Sequence, residues 1–227
     1  MTGRYPGFEL GTRRRRDGES REIVTRREQR RQQTFERLLQ AAREQFSANG
    51  FDRTTIDDIA STARVSRGTF FNYFDNKDAV LAALHQVHMD KLPGIVDDLL
   101  ARDLTTAERI GSLFNDVVEA AVTLENYFRA TTRELDRDLA TPEKSAARTH
   151  RFLVAFGRIL EAGVGCGEVR QDYPLDFLSQ MLTAVYITTI RLWRENTIVE
   201  MERDFGRAAG FIAEAIAPRR VGSPSDP

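Results

Sequence analysis

Apolar residues first recur at helical spacing at Phe35, Leu38, Leu39, Ala42 and Phe46, and Asn49-Gly50 supplies a stop. Upstream, residues 1–33 carry Gly, Pro and many arginines with almost no apolar period, so they read as an unfolded basic arm. Three short segments follow. Thr55 can cap a helix over Ile56–Ala63, with Asp58 three residues on completing a capping box. Ser66 can cap a second helix over Arg67–Tyr73. Asp75 and Asp78 form another cap-like pair, opening a longer helix that runs towards Lys91 and ends at Pro93-Gly94.

The remaining pattern is a succession of helical stripes. Ile110, Leu113, Phe114, Val117, Val118 and Ala121 form one; Leu124, Phe128, Leu135 and Leu139 form the next. Thr141-Pro142-Glu143 starts a helix through Phe152, Phe156, Ile159 and Leu160 that ends in the run Gly163 to Gly167. Asp172-Tyr173-Pro174 starts another, reaching about Glu195, and Phe205, Ala208, Ala209, Ile212 and Ile216 mark the last. No strand pairs and no internal repeat emerge. The prediction is an all-α chain: a basic arm over 1–33, a three-helix head over 34–80, a helical body over 81–218 and a frayed tail over 219–227.

The segment TTIDDIASTARVSRGTFFNYFDNKDAVL, Thr54 to Leu81, has the parts of a helix-turn-helix. Ile56 and Ile59 supply apolar contacts, Ala60 is small where a second helix crosses, Val65 anchors the turn, and Phe70 and Phe74 pin the second helix to a core. That leaves Arg67, Gly68, Thr69, Asn72 and Tyr73 facing outward. Short donors and acceptors with one cation are the chemistry that reads base edges and phosphates. Gly68 lets a backbone approach a groove with no side chain in the way.

Charge changes the picture by its distribution. The formal net charge is −1, yet residues 1–33 hold ten arginines against five acids, and residues 81–227 hold 17 bases against 22 acids. A chain with a basic end and an acidic body can offer that end to an anionic polymer. Two readings of the arm stand: Arg13–Arg16 and Arg26–Arg31 lie along a phosphate backbone or enter a minor groove, or they are a solvated tail. The single cysteine, Cys166, excludes an intrachain disulfide and fits a reducing compartment. Met181–Ile190 is far shorter than the roughly 20 apolar residues of a membrane span, and neither a secretory nor a twin-arginine signal is supported. The expectation is a soluble, cytoplasmic protein without a membrane partner.

The ordered set Phe46…Gly50, Thr54-Thr55, Ile59-Ala60, Val65-Ser66, Gly68-Thr69, Tyr73-Phe74 and Lys77 resembles the DNA-binding domain of the Tet-repressor (TetR) family of bacterial regulators, over Thr34 to about Leu84. The resemblance implies that Arg67–Tyr73 is the recognition helix, that Thr55, Arg64, Ser66 and Phe71 belong to the same DNA-facing surface, and that Lys77 grips a phosphate. Two departures stand out. Arg64 occupies a turn position where the family commonly has Gly, and Phe71 stands where it often has Tyr, removing one expected phosphate hydrogen bond.

Phe177, Leu178, Met181, Leu182, Val185, Tyr186, Leu192 and Trp193 cover more of a helix than one stripe, so this helix has two faces to bury. One reading is a purely internal helix. The other sets the second face, with the Glu143–Gly163 helix, against a second copy, the four-helix dimer that the resemblance implies. A dimer would place two recognition helices on a palindromic double-stranded DNA operator. The resemblance also implies a pocket for a small-molecule effector, for which Phe114, Val118, Tyr127, Phe128, Phe152, Phe156, Phe177, Met181 and Tyr186 are candidate lining residues or plain core. Arg129, Arg133 and Arg191 either meet an anionic ligand, such as an acyl thioester of coenzyme A, or lie on a solvated face.

The leading expectation is a regulator, a repressor released by its effector, with no cofactor. The alternative is a ligand-independent DNA-binding architectural or partner-dependent protein, which a closed body core would favour. His85 and His88 stand three apart on a helix but lack an evident third metal ligand. No phosphate loop, nucleophile elbow or zinc signature is present, so an enzyme is not expected.

Overall fold

A computed structural model describes residues 17–133, 142–195 and 201–219, with residues 17–25 and 142–145 described by backbone alone. Among these residues there are ten helices and no strand: α1 (Asp17–Asn49), α2 (Ile56–Thr62), α3 (Arg67–Phe71), α4 (Lys77–Met89), α5 (Leu92–Ala101), α6 (Thr106–Thr123), α7 (Glu125–Thr132), α8 (Pro142–Gly165), α9 (Leu175–Glu195) and α10 (Met201–Ile216). None of the described helices is long and apolar enough to cross a membrane.

Three boundaries differ from the sequence reading. α1 starts at Asp17, so residues 17–33 are helical, where an unfolded arm was expected. This stretch has no apolar face, but Arg, Glu and Gln are good helix formers. Adding turns to a helix already fixed by Leu38, Ala42 and Phe46 needs no new nucleus. Pro93-Gly94 does not end a helix; Pro93 sits in the first turn of α5. Proline lacks only an N–H that a first turn leaves unused. The cap of α4 is Asn76, whose Oδ1 accepts from Ala79 N at 2.8 Å, and not Asp75. Arg13–Arg16, Leu135, Leu139, Thr141 and the tail from 220 lie outside the described residues.

Two apolar cores organise the chain. The first joins α1 to α4, with Leu38, Ala42, Phe46, Ile59, Phe70 and Val80 wholly inaccessible. The second joins α4 to α10, with Val96, Ile110, Phe156, Ile159, Leu160 and Leu182 wholly inaccessible. Each such aliphatic or aromatic side chain contributes roughly 1.5–3 kcal/mol on burial. Two helices belong to both. α4 gives Val80, Leu81 and Leu84 to the first core and Met89 to the second. α7 gives Ala130 to the first and Phe128 to the second. Polar contacts also tie α7 to the first core: Asn126 Nδ2 donates to Ser47 O at 3.1 Å, and Arg133 pairs with both carboxylate oxygens of Asp52 at 3.2 and 3.3 Å.

Elsewhere in the body, α6 packs along α10 and α8 along α9. Glu168 caps the start of α6, accepting from Thr106 N and Thr106 Oγ1, each at 2.7 Å. These bonds hold the Glu168 carboxyl below its usual range. Gly163 is required where α8 passes α6: a Cβ there would lie 2.6 Å from Val169 Cγ2 and collide with Thr106 Oγ1.

Candidate functional site

The first site is built on α2 and α3. Thr55 caps α2 reciprocally: its backbone N–H donates to Asp58 Oδ2 at 2.8 Å, and its Oγ1 accepts from Asp58 N at 3.2 Å. The turn then needs one residue in left-handed geometry, and Arg64 takes it with φ of +55°. Val65 N donates to Ala60 O at 2.9 Å to close the turn. Ser66 Oγ accepts from Thr69 N at 3.0 Å and starts α3. Phe70 anchors α3 by complete burial, with its ring 5.8 Å from Phe74, which stacks on Phe35 at 5.4 Å.

With Phe70 inward, the rest of α3 is presented outward. Ser66, Arg67, Gly68, Phe71 and Asn72 are exposed, and Thr69 and Tyr73 are half-buried at its edges. Thr55 and Arg64 are exposed on the same head. α3 ends at Phe71 with Asn72 as its cap, two residues short of the expected Tyr73. A Cβ added at Gly68 would meet nothing nearer than Ser66 Oγ at 3.7 Å, an ordinary contact. Internal packing therefore does not require glycine there; only a surface approaching from outside would. Arg67 pairs with Asp57 at 2.6 Å and lies over the Phe71 ring at 5.5 Å. These contacts hold its guanidinium beside the exposed face.

Lys77 turns inward at the start of α4. Its ammonium is half-buried, donates to the backbone carbonyls of Phe51 and Thr54, and sits 4.3 Å from the centroid of the Phe51 ring. A side chain so engaged buckles the 51–54 loop to the start of α4. The carbonyl-rich loop end is what draws it inward, and sequence spacing does not reveal that.

The second site is a cavity of about 260 Å³ in the body, reached from α1 and enclosed by α4 to α9. Its wall is largely apolar, with Met89, Leu92, Leu113, Val117, Phe128 and Ile190, while the exposed Arg43, His88 and Asp116 stand at its rim. Of the nine candidate lining residues, Tyr127, Phe128, Phe152 and Tyr186 line it. Phe114 and Phe156 do not; each lies edge-on to the Tyr186 ring at 5.2 Å and backs it as core. Val118 also packs against the core. Phe177 and Met181 are about two-fifths exposed on the far face of α9, together with Leu192. Periodicity identifies an apolar arc, but not which part of that arc meets a void and which meets solvent.

Nor do Arg129 and Arg133 line the cavity. Arg129 donates to Glu125 at 2.9 Å and Arg194 O at 2.9 Å and lies over Trp193, while Arg133 holds Asp52. Arg191 is not among the lining residues.

The sequence reading missed His85, Thr131 and Thr132 as lining residues. His85 is 7% exposed, and its Nε2 finds no partner among the described residues. Burial, with the neighbouring charges of Arg148, His88 and Arg151, holds its pKa down to about 3, against a backbone hydrogen bond with Thr131. The signal was readable: His85 interrupts the apolar run Leu81, Leu84, Met89 on one helix. Among the described residues no group of His, Cys, Asp or Glu could hold a metal ion. Burial pushes up the Tyr127 and Tyr186 phenols and, with Glu119, the Asp116 carboxyl.

Comparison with known proteins places both sites in context. Residues 38–84 match the family model of bacterial regulatory proteins, tetR family. The chain is 30% identical over 155 residues to the helix-turn-helix-type transcriptional regulator YdeS of Bacillus subtilis, covering 63% of this chain and 71% of that one. It is 23% identical over 163 residues to the fatty acid metabolism regulator protein of the same organism, covering 71% and 84%. It is similar to the crystal structure of Thermus thermophilus FadR, a TetR-family transcriptional repressor in complex with lauroyl-CoA, at 27% identity and a TM-score of 0.65. That match covers 85% of this chain and all of the other.

Proposed function

This chain belongs to the tetR family of bacterial regulatory proteins, and on that premise we propose that it acts as a homodimeric repressor of a palindromic operator, released when a small, mainly apolar effector fills the body cavity. It is a ligand-responsive, DNA-binding transcriptional regulator; the operator symmetry, the dimer face and the residue roles are the content of the proposal.

One observation carries the reading of DNA. Phe70 is wholly buried while Ser66, Arg67, Gly68, Phe71 and Asn72 around it are exposed. α3 is thus a rigid rod held by one side and free on the other. Laid in a major groove, Asn72 and Thr69 reach base edges, Arg67 reaches a guanine edge or a phosphate, and Ser66 and Thr55 lie towards the backbone. The bare backbone at Gly68 permits close approach. The exposed Arg27, Arg30 and Arg31 on the extension of α1 add positive charge for non-specific attraction.

One short helix reads too few bases for specificity. The exposed apolar residues Phe177, Met181 and Leu192 of α9, with the exposed Val154 of α8, supply apolar surface for a second copy. Two-fold symmetry then sets the paired α3 helices about 34–36 Å apart, one helical turn of DNA. The apolar cavity supports the effector part, and the lauroyl chain of the lauroyl-CoA held by the Thermus relative is of matching apolar character. A closed body core would have favoured the ligand-independent alternative; the cavity argues against it. Coupling follows from the two shared helices. α7 turns Ala130 to the head core and Phe128, Thr131 and Thr132 to the cavity. A ligand that fits one arrangement of α4 and α7 better than another shifts the population of dimer shapes, and with it the spacing of the reading helices.

Selection of bound sequences from a random duplex pool tests the reading. The expected result is a palindromic consensus, with Asn72→Ala weakening binding to it by about 10–100-fold, the discrimination of one good base contact. Equal binding of every duplex by the wild-type protein would overturn the reading.

A further inference from the structure

We propose that Asp57 is a positioning residue for DNA reading: it holds Arg67 so that the guanidinium takes a guanine edge in the major groove and not a phosphate. This rests on the reading of α3 as the groove-facing helix and decides what its first side chain does there.

The geometry is that of a supported fork. Arg67 is the first residue of α3, and the first turn of a recognition helix is the part that meets base edges. Its Nη1 donates to Asp57 Oδ2 at 2.6 Å, in the first turn of α2. Its Cζ lies 5.5 Å from the centroid of the Phe71 ring, one turn along α3. One contact restricts the direction of the guanidinium and the other its plane. Both side chains stand largely in solvent, Arg67 58% and Asp57 65% exposed. Among the described residues neither makes a further ion pair or side-chain hydrogen bond, so Nε and Nη2 keep their protons for an incoming acceptor. The Ser66 and Thr69 hydroxyls lie 2.8 Å apart and serve each other, which leaves Arg67 as the bidentate donor of this turn.

Charge decides between base and phosphate. A cation that grips a phosphate gains by displacing the counterions condensed there. With Asp57 against it, the Arg67 guanidinium brings no net charge, and a phosphate at its free edge would face the carboxylate's own charge. A guanine edge is neutral; its O6 and N7 accept two N–H donors side by side, and the carboxylate behind adds no repulsion. Ordering a long arginine side chain costs rotamer freedom, and here that loss is incurred on folding, because Asp57 and Phe71 already hold it. Asp57 stands two residues beyond Thr55 on the same exposed head, so without Arg67 it would repel the duplex.

Equilibrium binding of the full-length protein tests this, using the duplex it selects from a random pool and duplexes carrying each other base at every half-site position, over a range of salt. The variants are Arg67→Ala, Asp57→Ala and Asp57→Asn. All change exposed side chains and leave the Thr55–Asp58 cap of α2 intact. The expected wild-type result is a guanine preferred by about tenfold or more at one position of each half-site. Arg67→Ala abolishes that preference and keeps the others. Asp57→Ala lowers it several-fold and, with the guanidinium released to the backbone, steepens the fall of log affinity with log salt by about 0.9 for each subunit. Asp57→Asn, whose amide oxygen still accepts from Nη1, retains the guanine preference, which separates the hydrogen bond from the charge. An Arg67→Ala protein that keeps every base preference, bound equally or uniformly more weakly, overturns the inference. So does a guanine preference undiminished in Asp57→Ala. Both results leave α3 standing as the reading helix, whereas equal binding of every duplex by the wild-type protein overturns that as well.

Discussion

The head and the body bury the same kinds of residue to different ends. In the head, Leu38, Phe46, Ile59 and Phe70 close on one another completely. Its buried hydroxyl, on Thr54, donates to Gly50 O at 2.7 Å. In the body, an equally apolar set surrounds about 260 Å³ of space and, among the described residues, leaves His85 Nε2 without a partner. The contrast teaches where each demand falls. A surface that reads base edges must hold its side chains to within a fraction of an ångström, so its support is closed. A surface that receives a ligand must keep room and unmet polarity, so its support is left incomplete. α4 and α7, which belong to both cores, carry the difference from one to the other.

The contrast can be broken hardest from the head. Phe70→Ala removes the single side chain that anchors α3 and should cost about 3–5 kcal/mol in denaturant unfolding, with loss of operator binding. A loss under 1 kcal/mol would show the head core to be as forgiving as the body. Next comes the tight crossing at Gly163. Gly163→Ala pushes a methyl into Thr106 and Val169 and should cost about 1–3 kcal/mol by the same measurement. If it proves neutral, α6 and α8 slide more freely than their packing indicates.

A pH titration sharpens the comparison further. His85 has a folded pKa of about 3 against an ordinary 6.5, so below pH 6.5 the unfolded chain binds the proton and the folded one does not. Stability is therefore fully present above pH 6.5 and lost as pH falls from there towards 3. Between pH 7 and 5.5 this amounts to about 1 kcal/mol. His85→Leu should flatten that part of the curve, and an unchanged acid limb would mean that the ring titrates normally. The smallest effect is at the turn of the head. Arg64 holds φ at +55°, so Arg64→Gly relieves strain but loosens the unfolded chain, for a net gain of about 0.5 kcal/mol. An unaltered melting temperature would remove strain from the account of this turn.

Much of the head was legible in advance. The Thr55–Asp58 capping box, the Ser66 cap and the inward Phe70 follow from local rules acting within a few residues, whereas the special turn position of Arg64 was flagged only by the family resemblance. The contacts of Lys77 are not legible in the sequence, because its partners, the carbonyls of Phe51 and Thr54, lie more than twenty residues away. The body was legible as helices and much less so as a site. Phe114, Phe156, Phe177 and Met181 satisfy the same periodicity as Phe128, Phe152 and Tyr186, yet only the last three meet the cavity.

The order of apolar and polar residues by itself determined the all-helical chain, the caps, the turn and which face of α3 is left polar, since each depends on neighbours along one or two turns of helix. Tertiary structure alone decided which side of α9 faces the cavity, that His85 is buried, and that α7 joins the two cores. Those outcomes depend on how separate helices cross. A crossing is set by the fit of many side chains from distant parts of the chain, which no local period records.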